Sequence, residues 1–131
     1  MNPYEIILKN NINQFPDLHT IILFGSAREN CLYEESDIDL GIAGNHTLAF
    51  SELQNFKERF VLLFKNRVID LVDLNQSEGL IVREILTKGK VIKEDLHFFL
   101  RKLSDMYDYM ELYYPILKED RVQRIKSTFI K

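Results

Sequence analysis

The sequence predicts a small α/β (α+β) domain, a mixed β-sheet backed by helices. Two observations carry that expectation. Short apolar, β-branched runs at residues 19–24, 37–43 and 67–74 read as strands, and the segments around them repeat their apolar residues at helical spacing. A length of 131 residues suits one domain and can bury enough surface to fold without a disulfide or metal staple.

Each element has its own sequence signal. Tyr4, Ile7, Leu8 and Ile12 share one helical face, and Pro3 suits the first turn. His19 to Phe24 is a strand ended by Gly25. In Asp37 to Ala43 the alternation is strict, so Ile38, Leu40 and Ile42 face one way and Asp37 and Asp39 the other. Leu48 to Phe64 is helical, with Leu53, Phe56, Phe60 and Leu63 on one side. Arg67 to Leu74 is a third strand. Ser77 is a candidate cap for a helix through Lys88, with Gly89 as its stop, and Lys90 to Ile92 reads as a short edge strand. From about Glu94 the chain is helical and aromatic, and Pro115 is expected to kink or divide that last helix. The expected division is a core over residues 1–95 and a helical extension over 96–131.

Composition narrows the function classes. A net charge of -3 leaves no basic footprint for a long nucleic acid, so a small anionic substrate met through cations is the better expectation. The single Cys31 cannot form an internal bridge and has no histidine near in sequence to activate it, which suits a reducing cytoplasm. No apolar run approaches the roughly 20 residues needed to cross a bilayer. His19, His46 and His97 show no zinc-ligand spacing.

The chemistry concentrates in Gly25-Ser26, a gap of ten residues, Asp37-Ile38-Asp39, and Asp70 on a later strand. Gly25 lets backbone approach a ligand, and the neighbouring amides and the Ser26 hydroxyl can donate to phosphate oxygens. Asp37 and Asp39, two apart on a strand, project to one side. Hard carboxylate oxygens suit Mg²⁺ or Mn²⁺, and a pair of such ions can hold both oxygens of an in-line phosphoryl displacement. Asp70 would complete the cluster and could take the proton from an attacking hydroxyl. Asp in a strand is otherwise a solvated or capping residue, but three acids interrupting apolar strands are costly without cations. Asp73 competes with Asp70. The two point to opposite faces, and Asp73, near the strand end beside Asn75, reads as a surface or cap residue.

This pattern resembles the minimal nucleotidyltransferases of the polymerase-β-like superfamily over roughly residues 1–95, including Arg83-Glu84-Ile85-Leu86 and Gly89-Lys90-Val91. The resemblance implies a polymerase-β-like core, ATP as co-substrate and two divalent ions. It implies Gly25 and Ser26 at the triphosphate, and Asp37, Asp39 and Asp70 as metal-binding and catalytic acids. Ala27-Arg28-Glu29-Asn30 departs from the base-then-glycine order of many relatives, so no phosphate role is assigned to Arg28.

The tail, with Tyr107, Tyr109, Tyr113, Tyr114, Arg121 and Arg124, is similar to that of antitoxins in HEPN/MNT toxin–antitoxin modules. That likeness implies transfer of AMP to a tyrosine of a HEPN-domain ribonuclease toxin. The alternatives are a small-molecule adenylyltransferase of the aminoglycoside-modifying kind, and a non-catalytic antitoxin that acts by binding alone. The tail itself either docks the partner or folds back to complete the core.

Overall fold

The computed structural model describes residues 2–25, 37–77 and 80–117. Ser26, Arg28, Cys31, Arg121 and Arg124 lie outside the described residues. The chain runs α1 (Pro3–Asn10), a 3₁₀ turn (Ile12–Gln14), β1 (Leu18–Phe24), β2 (Ile38–Gly44), α2 (Phe50–Leu63), β3 (Ile69–Asp73), α3 (Leu80–Lys88), β4 (Lys90–Lys93) and α4 (Leu96–Leu117).

The sheet has four strands in the order β3-β2-β1-β4. β1 pairs antiparallel with both β2 and β4, while β2 and β3 are parallel and joined through α2. The mixed sheet follows from the connection lengths: a helical crossover permits parallel neighbours. Alternation then divides the apolar residues between two faces. Ile38, Leu40, Ile42, Ile21, Leu23 and Ile69 pack with Leu8 of α1 and with Phe56 and Phe60 of α2. Ile22, Ala43 and Leu74 pack on the other face with Val82, Ile85 and Leu86 of α3 and Phe98 of α4. Helices therefore cover both faces.

Several local features set the ends of the elements. Asn2 accepts the Tyr4 N–H at 2.7 Å and caps α1, with Pro3 in the first turn. Phe15 stacks on Phe60 with ring centroids 4.4 Å apart, and the Arg59 guanidinium lies 4.6 Å from the Phe15 ring centre. Gly89 stops α3 because a side chain there would run into Ile22 and the Ile85 carbonyl.

The expected cap at Ser77 adjoins residues 78–79, which lie outside the described residues; the Ser77 hydroxyl donates to the Asp73 carbonyl at 3.1 Å. One expectation changes: α4 is helical from Leu96 through Pro115 to Leu117, the last of the described residues, so the proline does not divide it. Phe98 and Met106 of α4 are each 3% exposed, so the first half of that helix belongs to the core.

Candidate active site

The end of β1 and the beginnings of β2 and β3 meet at one edge of the fold. Phe24 is the ladder partner of Asp39, and Asp39 in turn is the partner of Asp70. The two acids therefore stand side by side on neighbouring parallel strands, on the same face of the sheet. Gly41 follows two residues after Asp39 on that face and lies under Ile85 of α3. Asp39 is half-buried, whereas Asp37 and Asp70 are exposed. Asp37 precedes β2 rather than belonging to it.

Gly25 has φ +70°, in the left-handed region, and any Cβ at that position would overlap the Asp39 carboxylate oxygen Oδ2. Only glycine satisfies both the torsion and the contact. The backbone at the end of β1 is thus pressed against the most enclosed carboxylate of the group. Burial first, then the charges of Asp70 and Asp37, raises the Asp39 carboxyl above its ordinary value.

The donor set is one of hard oxygens around a shared negative potential, which is the chemistry that Mg²⁺ or Mn²⁺ requires. As the side chains lie, no three His, Cys, Asp or Glu among the described residues converge tightly enough to enclose an ion. Asp37 and Asp70 are exposed, as suits a divalent ion that keeps waters and shares substrate phosphates.

Asp73 takes the opposite face from Asp70, as alternation requires, but it is not a surface residue. At 7% exposure it accepts the Leu48 N–H at 2.9 Å and the Asn75 N–H at 3.0 Å. Asn75 in turn donates to the carbonyls of Gly44 at 2.9 Å and His46 at 3.2 Å. Leu48 lies far away in sequence, and nothing local announces that it donates here. Among the described residues, a cleft of about 360 Å³ lies beside Asp17, His46 and Glu52 and another of about 440 Å³ along Lys57, Val61 and Leu62 of α2, neither lined by Asp37, Asp39 or Asp70. No helix is long and apolar enough to cross a membrane among the described residues.

Comparison with known proteins bears on this site. Residues 7–98 match the family model described as polymerase beta, nucleotidyltransferase. The chain is similar to the protein adenylyltransferase MntA of Shewanella oneidensis, with 28% identity over 116 residues, covering 85% of this chain and 81% of MntA. A crystal structure of a toxin–antitoxin with AMP-PNP shares the fold at TM-score 0.65 and 23% identity, over 100% of both chains. A structure of a tri-AMPylated Shewanella oneidensis HEPN toxin in complex with its MNT antitoxin aligns at TM-score 0.58 and 21% identity, covering 95% of this chain and 98% of that one. The family match spans well over half of the sequence, and on that ground the protein belongs to the polymerase β nucleotidyltransferase family.

Proposed function

We propose that this nucleotidyltransferase moves AMP from ATP to a tyrosine hydroxyl of a HEPN-domain ribonuclease and so acts as its antitoxin. The observation that carries the reading is the pairing of Asp39 with Asp70 across adjacent strands, with the Gly25 backbone packed against Asp39. The likeness to MntA and to structures of toxin–antitoxin complexes supplies the acceptor class.

Asp37, Asp39 and Asp70 would hold the divalent ions, which supply charge neutralisation at the transferring phosphoryl group. Gly25, with Ser26 after it in sequence, would receive the triphosphate, the Gly25 backbone close because no side chain intervenes. Asp70, which is exposed, would accept the proton of the incoming tyrosine hydroxyl. The Tyr Oη–Pα bond forms as the Pα–Oβ bond breaks, and pyrophosphate leaves.

Incubating the chain with ATP, Mg²⁺ and a HEPN-domain ribonuclease should place AMP on a tyrosine, read by peptide mass spectrometry, and lower ribonuclease activity in step. Ribonuclease inhibition that proceeds equally without ATP would replace this reading with inhibition by contact.

A further inference from the structure

Resting on that reading, the clamp at the far end of β3 bears on how the carboxylates are aligned. β3 is an edge strand of five residues that pairs on one side only, with β2. Its register decides whether Asp70 stands beside Asp39. A slip of one residue would turn Asp70 to the opposite face and expose Ile69, so apolar patterning forbids it. A slip of two residues keeps the faces and is opposed far less by patterning. It would carry Asp70 about 7 Å along β2, out of reach of Asp39.

We propose that Asp73 and Asn75 together are positioning residues, a clamp that fixes this register and thereby holds Asp70 beside Asp39. The two Asp73 carboxylate oxygens accept N–H groups from two different segments, Leu48 in the β2–α2 connection and Asn75 in the β3–α3 connection. The Gln76 side chain donates to the Leu48 carbonyl at 3.3 Å. With the two bonds of Asn75 to Gly44 and His46, the end of β3 is tied to the end of β2 at several points, all of which a two-residue slip would break. At the other end of the ladder the Ile38 N–H reaches the Val68 carbonyl at 2.9 Å. That bond belongs to the repeating ladder and exists in either register.

The test measures Mn²⁺ binding to the full chain in the presence of AMP-PNP by electron paramagnetic resonance, well below the unfolding temperature. Asp70→Asn, Asp73→Asn, Asn75→Ala and Phe60→Leu are compared with the wild-type chain. Phe60→Leu lowers stability from the face opposite Asp39 and Asp70 and removes none of the clamp's hydrogen bonds. Asp73→Asn and Asn75→Ala are expected to weaken Mn²⁺ binding tenfold or more and to diminish cross-strand nuclear Overhauser contacts between Asp39 and Asp70, while Phe60→Leu does neither. Should Asp73→Asn not fold, Asn75→Ala decides the question alone. Binding that survives in the clamp variants but is lost in Asp70→Asn overturns the positioning role and leaves the proposed function standing. Binding unchanged in Asp70→Asn overturns both.

Discussion

The two ends of the β2–β3 pair use the same side chain for opposite purposes. At the leading end Asp39 and Asp70 face each other across the ladder with like charge, and among the described residues burial and the charges of Asp70 and Asp37 act on Asp39. At the trailing end Asp73 is more deeply buried, yet each of its oxygens receives a backbone N–H. A satisfied buried carboxylate is structural, whereas a crowded and incompletely satisfied one is available to a ligand. Exposure alone would have ranked the two the wrong way.

Breaking the leading end should have the largest effect. Asp39→Asn is expected to reduce AMP transfer on the order of 10³-fold, as loss of a main transition-state contact does, with an unchanged circular dichroism spectrum. Asp70→Asn should cost roughly 10²–10⁴-fold, because it removes a base as well as a metal-binding oxygen. A ranking in which Asp73→Asn damages the chemistry more than Asp70→Asn would invert the comparison.

Breaking the trailing end should instead appear first as stability. An amide at position 73 presents a donor to one of the two N–H groups, and chemical denaturation is expected to show a loss of about 1–3 kcal/mol. Gly25→Ala sharpens the contrast from the strand beside Asp39. It combines a left-handed torsion with a clash on that carboxylate, and should destabilise by roughly 1–3 kcal/mol while weakening nucleotide binding.

The smallest effect is the dependence on pH. The folded-state value of Asp39 is raised above that of the unfolded chain. Its contribution is therefore fully present below the unfolded carboxylate pKa and is lost as pH rises through the raised folded one. Without divalent ions, thermal scans should show the wild-type chain losing stability across that window relative to Asp39→Asn. Equal slopes for the two would mean that repulsion at the leading end is negligible.

Much of this arrangement is legible in the residues. Alternation in 37–43 and 67–74 is enough to place Asp39 and Asp70 on strands and to set Asp73 on the face opposite Asp70, because a side-chain period of two leaves no freedom. Parallel pairing and the register of Asp39 against Asp70 are not legible, since they depend on bonds between segments about thirty residues apart. Asp73 looks like a surface residue for the same reason: its donor, Leu48, is remote.

The position of β3 at the sheet's edge has a consequence for handling the protein. Exposed strand edges invite pairing between molecules, and charged residues are the usual deterrent. β4 carries Lys90 and Lys93 at the opposite edge, while on β3 the exposed charge is that of Asp70. Neutralising Asp70 to obtain an inactive control therefore also removes a solubility device. Light scattering should find Asp70→Asn more prone to self-association than Asp39→Asn, whose substituted side chain lies half-buried on an interior strand, and Asp39→Asn is the safer inactive variant for concentrated samples.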